Sequence, residues 1–469
     1  MNNSMLRVRI LFEGWRMVQH SYGQVLAFTL IHMYKLYGPN GKLGHKIDFY
    51  VTEAEYFRPE WNKTKKLVYS EEYNAILRDL KEYNGEEVDL IYRQTYPYNI
   101  NVTDANRRVP KCVFYTSEYS KLDSMFFQFV KPPDVLPEVY ISSFLSENNN
   151  IYFTSPSIWS SRGMTRYLTG DDYRVRNRTI THGVDTTVFF RHDTQTTRNE
   201  LRQSYNVKED DILLINVGGA MTSNKGIRFV LHALHVLVNL MGHTHYKLIL
   251  KGSGDLYPSI QILETYFDSF QRENIMTPTD INSLLNHIIF TNETLSYSQI
   301  NDLYNAADVY VSPYLAEGFG LTMLEALASG LQVLVPRTGS TKEYIDDIFA
   351  NGHGNEFITF VDSTVIQDKD GNYKNDIKLH DIVNTLLTNE LNFKTSKPDN
   401  IYIQMKSYIE TQYSWYKVST LLYDYFLDIH STFENPLLEK VEQNGDPSSR
   451  GIGKSLRVLF SFSKRETIK

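Results

Sequence analysis

Short, uninterrupted apolar runs alternate with longer stretches of mixed polarity along most of this chain. In the first half the runs are Leu6–Phe12, Ile47–Val51, Val88–Tyr92, Cys112–Thr116 and Ile151–Thr154, with a helical stretch from Tyr22 to Tyr37 after the first. Runs of this kind predict strands buried on both faces, hence a parallel sheet covered by helices. The proline-rich stretch around Pro132, Pro133 and Pro137 reads as a loop, because proline does not suit the interior of an element.

The pattern restarts near Asp211. Ile212–Val217, Tyr246–Leu250, Ile288–Phe290, Asp308–Ser312 and Leu331–Val335 read as strands, and Lys225–Met241, Ser298–Asn305 and Thr322–Ser329 as helices. Strand, loop and helix repeated in this way predict a doubly wound α/β domain. Two such domains in tandem, joined near residues 183–200, leave a cleft between them where a ligand is expected. Ser414–Ile429 reads as a long closing helix, and beyond Asn444 the chain turns linker-like. The predicted units are therefore 1–190, 191–412, a helix over 413–435 and a terminal segment over 436–469.

A chain of 469 residues is too long for one ordinary core, which agrees with two domains. Its net charge of −7 argues against general nucleic-acid binding, since phosphate backbones demand a basic face. The single cysteine, Cys112, sits in an apolar run and reads as a core thiol in a reducing, cytoplasmic setting. No secretory signal is read at the start, and no apolar run is long enough to span a bilayer.

The chemistry concentrates in Ser312-Pro-Tyr-Leu-Ala-Glu-Gly-Phe-Gly-Leu-Thr-Met-Leu-Glu-Ala-Leu-Ala-Ser-Gly-Leu331. A strand ends at Pro313, a loop carries Glu317, and a helix opens near Leu321. Unpaired amides at that helix start make an anion seat, and Gly318 and Gly320 allow a ligand close to the backbone. Glu325 is placed in the first helical turn, where a carboxylate suits sugar or ribose hydroxyls. Lys225, between a glycine turn and a helix start, suits phosphate.

This stretch resembles the Glu-x7-Glu motif of family-4 retaining glycosyltransferases, with Glu317 and Glu325 as the pair. Five other segments are similar to that family in order and spacing. They are Thr181-His-Gly-Val-Asp-Thr-Thr-Val-Phe189, Val217-Gly-Gly-Ala-Met-Thr-Ser-Asn-Lys-Gly226, Leu250-Lys-Gly-Ser-Gly-Asp255, Tyr304-Asn-Ala-Ala-Asp-Val309 and Tyr413-Ser-Trp415. The resemblance implies the GT-B fold, two Rossmann-like domains facing across a cleft. It places an acceptor-side domain first and a nucleotide-sugar donor domain second, with no metal and no cofactor. The implied reaction moves a sugar from a UDP- or GDP-sugar to a hydroxyl of a glycan or glycoconjugate, with retention.

By the same resemblance Lys225 would neutralise the leaving diphosphate, and Glu317 would bind hydroxyls of the transferred sugar. Glu325 would bind the ribose. Gly14, Gly218, Gly252, Gly254, Gly318, Phe319, Gly320, Leu321 and Thr322 would line the donor site. His20 reads equally as a substrate contact or a helix-entry histidine, Glu118 is an acceptor-side candidate, and His182 orients the interdomain loop. One position departs from the family: Gly219 stands where an Arg commonly follows the loop glycine, with Lys251, Arg228 or a residue of the other domain as candidate replacements, or with the donor held differently. That departure keeps a weakly active or purely binding protein open, and an epimerase on the same fold is a further alternative. Residues 450–469 interleave basic and apolar side chains, which suits either peripheral contact with an anionic membrane or a tail that is disordered or docked on the body.

Overall fold

The structure is a computed structural model that describes residues 7–434 apart from 64, 67, 104–105, 219–221 and 352–353. Gly219 and the whole of 436–469, with its basic-apolar tail, lie outside the described residues.

The first sheet has seven strands in the order Lys81–Glu82, Ile47–Glu53, Val8–Gly14, Leu90–Gln94, Lys111–Phe114, Ile151–Ser155, Asn177–Thr179. All its pairings are parallel. The second has six parallel strands in the order Ile288–Thr291, Tyr246–Lys251, Ile212–Val217, Val309–Val311, Gln332–Pro336, Ile358–Val361. Both are doubly wound, as the apolar pattern predicts. In each, the first strand takes neighbours on both sides, so the chain reverses its winding there. Crevices at such switch points, outside the carboxyl ends of the strands, are where ligands bind in open α/β sheets.

Element limits differ where tertiary contacts override local pattern. The first strand runs to Gly14, because its ladder continues through Gly14↔Glu53 and Gly14↔Gln94. Pro137 opens the helix Pro137–Glu147 instead of lying in a loop; proline suits the first helical position, whose amide is unpaired anyway. The helix expected over Lys225–Met241 is broken into a 3-10 turn Ser223–Lys225, an α-helix Ile227–His235 and a π-helical turn Val236–Leu240. The break is at Gly226, whose φ is 71° and where a Cβ would lie 1.9 Å from the Pro313 carbonyl oxygen. An antiparallel hairpin, Ser363–Gln367 with Tyr373–Ile377, and the helices Leu379–Thr388, Glu390–Lys394 and Asp399–Gln412 complete the second domain.

Buried ionic anchors hold the joint. Asp308 accepts from Arg198 Nη2 at 2.5 Å, Arg202 Nη1 at 2.9 Å and the Leu213 amide at 2.7 Å, tying the helix Gln195–Ser204 to the sheet. In the interdomain segment, Asp185 Oδ2 accepts from the Tyr73 hydroxyl at 2.6 Å and lies 3.2 Å from His32 Nε2, while its Oδ1 accepts from the Thr187 amide at 2.9 Å. Burial works against that carboxylate, but these partners hold it well below its ordinary range. Gly183 is required because the closing helix crosses directly over it: a Cβ there would sit 2.5 Å from the Trp415 nitrogen. That helix, Trp415–Glu434, returns to the first sheet, where Phe426 packs on Phe12 and Tyr92 and Tyr423 stacks on Tyr37.

Candidate active site

The two switch points face each other across a cavity of about 270 Å³. Its floor is built from the second domain. The strand Ile212–Val217 delivers Gly218, and the turn Ser223–Lys225 carries Lys225. Asn224 fixes this turn against the motif loop: its Nδ2 donates to the Ala316 carbonyl and to Glu118 Oε2, both at 2.8 Å, and its own carbonyl accepts from the Leu315 amide at 2.7 Å.

Lys225 Nζ donates to Glu317 Oε2 at 2.6 Å and lies 3.6 Å from Glu118 Oε1. Burial alone would disfavour its charge, but Glu317 and Glu118 outweigh that and hold the ammonium well above its ordinary value. Burial raises Glu118, with Lys225 opposing the shift and Glu317 adding to it. One cation thus stands between a carboxylate from each domain.

The helix Leu321–Ala328 starts behind Gly320, whose φ of 92° turns the loop into the helix. The loop is held on both sides. Tyr344 donates to the Gly320 carbonyl at 3.0 Å, while Ser157 and Ser160 of the first domain donate to the Gly318 carbonyl at 2.7 and 3.1 Å. Phe319 is wedged between His182 and Tyr344. Gly320, Leu321 and Thr322 at this helix start line the cavity together with Lys225, and the unpaired amides of a helix start beside a cation suit an anion.

Glu325 is the fifth helical residue, just past the first turn in which the sequence places it, and is almost fully buried. Its Oε1 accepts from Gln24 Nε2 at 2.5 Å across the cleft, and its Oε2 from the Tyr304 hydroxyl at 3.1 Å. Burial pushes its carboxyl up to about 7 against those two hydrogen bonds. His20 both enters a helix and lines the cavity. Its Nδ1 accepts from the Tyr22 amide at 3.2 Å, and its Nε2 lies 2.9 Å from the Tyr257 hydroxyl of the other domain. Burial, helped by Lys225, lowers it to about 4, so it is neutral at pH 7. His182 packs among Phe114, Phe319 and Trp415 and is pushed down to about 3 by burial.

The cavity wall brings together His20, Glu118, Gly218, Lys225, Gly252, Glu317, Gly318, Phe319, Gly320, Leu321, Thr322 and Glu325. Gly14 and Gly254 are not in that wall. Gly14 packs under the Gln94 carbonyl and Leu26, and Gly254 against Asn292. Of the two candidate replacement cations, Lys251 lines the cavity and burial lowers it to about 8. Arg228 is turned away to Ser269 and Glu273. Sequence reasoning missed Gln24, Tyr257 and Tyr304, since no local pattern signals a partner reached across the cleft or packed beneath a helix.

Residues 197–355 match the family model described as glycosyl transferases group 1. Among curated proteins the chain is similar to an uncharacterised glycosyltransferase of Methanocaldococcus jannaschii, 28% identical over 144 residues, 31% of this chain and 32% of that one. It is also similar to a glycogen synthase of Caldicellulosiruptor bescii, 26% identical over 186 residues, 38% of this chain and 34% of that one. The matched segment therefore spans about a third of the length of these relatives. Among solved structures, Anabaena HepE in complex with UDP and glucose superposes with a TM-score of 0.55 at 14% identity, covering 89% of this chain and 99% of that one. The fold is GT-B. The catalytic domain of Arabidopsis thaliana starch synthase IV, bound to ADP and acarbose, is a further GT-B neighbour with a TM-score of 0.55 at 13% identity, over 91% of this chain and all of that one. The matched family segment holds the Lys225 turn and the Glu317 loop of this GT-B cleft, while Glu118 comes from outside it. No helix among the described residues is long and apolar enough to cross a membrane.

Proposed function

We propose that the chain is a retaining, metal-independent glycosyltransferase of the family-4 kind, moving a sugar from a UDP- or GDP-sugar to an acceptor hydroxyl of a glycan or glycoconjugate. The observation that carries this reading is the placement of Lys225 and Glu317 in contact beside the start of the helix Leu321–Ala328, in a cleft between two doubly wound domains. The donor diphosphate sits over the amides of Phe319–Thr322 and takes the Lys225 ammonium as partner. As the glycosidic bond breaks, negative charge grows on the leaving diphosphate. A pre-placed cation and oriented amides stabilise that charge without reorganising. Glu317, held at Lys225, aligns hydroxyls of the transferred sugar, and the acceptor approaches from the face lined by His20 and Glu118. The contacts that join the domains around the loop limit water and so favour transfer over hydrolysis.

The GT-B neighbours in complex with UDP and glucose, or with ADP, support a nucleoside-diphosphate sugar as donor. The test is a panel of UDP-, GDP- and ADP-sugars assayed with EDTA present, scored by thermal shift and by release of nucleoside diphosphate. Stabilisation and slow release with one donor, and product of unchanged anomeric configuration once an acceptor is found, are expected. Stabilisation without release under any acceptor would leave a binding protein, the reading that Gly219 favours. No response to any donor would overturn the assignment.

A further inference from the structure

The segment entering the strand Tyr246–Lys251 reads Gly242-His-Thr-His-Tyr246. It folds as a turn in which the Tyr246 amide donates to the His243 carbonyl at 3.3 Å, and this brings the two histidine rings to 5.7 Å. Glu390, the first residue of the helix Glu390–Lys394, faces them, with its Oε1 2.9 Å from His245 Nε2. The Tyr246 hydroxyl donates to the other oxygen of that carboxylate at 3.3 Å and orients it. One ligand atom from each of His243, His245 and Glu390 lies within 4.8 Å of the other two. All three residues are half-buried, so each ring and the carboxylate can reach solvent.

We propose that His243, His245 and Glu390 bind one divalent transition-metal ion of the zinc or nickel class, with water completing the shell. Two imidazoles and one carboxylate are a borderline donor set that selects such ions over Mg²⁺ or Ca²⁺. Bonds of roughly 2.0–2.2 Å to a central ion set ligand atoms a little over 3 Å apart, so His243 moves inward while the His245–Glu390 contact opens slightly, movements within reach of half-buried side chains. Lys394 Nζ, 3.8 Å from Glu390 Oε1, gives way to the ion. At 34% exposure it has solvent to turn into.

The site is separate from the cleft. Lys251 at the far end of the same strand lines the cavity, and six strand residues span roughly 20 Å. The ion therefore acts on the fold: it fastens the entry of a central strand to the helical segment after Leu379, which lies beyond the residues matched by the family model.

Titration calorimetry of Zn²⁺ and Ni²⁺ into the untagged full chain, with thermal melts in parallel, tests this. The expected result is a class of one ion per chain that raises the melting midpoint, with His243→Ala and Glu390→Gln each weakening it at least tenfold. His243→Ala is the informative variant, because His243 is not part of the His245–Glu390 bond and its loss spares that pair. Absence of a stoichiometric class for either ion, or a class unchanged in both variants, would overturn the proposal.

Discussion

Gln24 and Glu325 meet across the cleft, the Gln24 amide donating to the Glu325 carboxylate at 2.5 Å while Tyr304 holds its other oxygen. The residue proposed to take the donor ribose is thus already engaged by the opposite domain. On that proposal ribose hydroxyls would take over acceptor positions that Gln24 and Tyr304 use here, linking donor binding to the contact between the domains.

Glu325 makes stability depend on pH. Its carboxyl is held up at about 7 in the folded protein, above the ordinary value of 4.5. Between those values the unfolded chain has released the proton and the folded chain keeps it. The stability this group contributes is full below 4.5 and is lost as pH rises to 7, by on the order of 3 kcal/mol at most. Glu325→Gln does not titrate, so its stability relative to the parent should improve between about pH 5 and about pH 8 in urea melts. A constant difference would show that the carboxyl titrates normally.

Lys225→Met should lower turnover by roughly 10²–10³-fold, the usual cost of removing a group aimed at developing charge. Lys225→Arg should restore part of it. Unaltered turnover in Lys225→Met, with an intact fold by circular dichroism, would exclude Lys225 from the reaction.

Gly226→Ala should destabilise the second domain by more than about 2 kcal/mol, since it combines a positive φ with a backbone clash against Pro313. Chemical denaturation reads this directly. A loss below about 0.5 kcal/mol, the level of a neutral surface change, would mean that the turn carrying Lys225 adopts another conformation.

Glu343 joins the domains outside the cavity wall. Its two oxygens accept from the amides of Ile158 and Trp159 at 2.8 and 2.7 Å, at the start of the first-domain helix Ile158–Ser161. Charged hydrogen bonds of this kind contribute roughly 1.5–3 kcal/mol. Glu343→Ala should leave each domain folded, enlarge the radius of gyration in small-angle scattering and raise the donor KM more than it lowers kcat. An unchanged radius would show that other contacts suffice to hold the cleft closed.

Two doubly wound sheets, the two halves of the cleft and most of its charged wall were legible along the chain, because buried parallel strands must be apolar and the Glu317–Glu325 and Lys225 loops sit at strand ends. Limits such as Gly14 and the break at Gly226 were less so, since they depend on a ladder partner or on the Pro313 carbonyl, both distant in sequence. The hairpin Ser363–Gln367/Tyr373–Ile377 is of the same kind: the Tyr373 amide finds its acceptor on Tyr119 of the first domain.

The sequence by itself determined five strands of each main sheet, their alternation with helices and the residues able to carry charge, because burial and turn chemistry are local constraints written in residue type. Tertiary structure alone decided which charges meet. It placed Glu118 beside Lys225, Gln24 on Glu325 and Tyr257 on His20, and it kept Gly14 and Gly254 out of the cavity wall. The reason is physical: each of those pairs joins side chains from two domains, and the distance between them is set by how the sheets pack against one another, which no stretch of chain encodes alone.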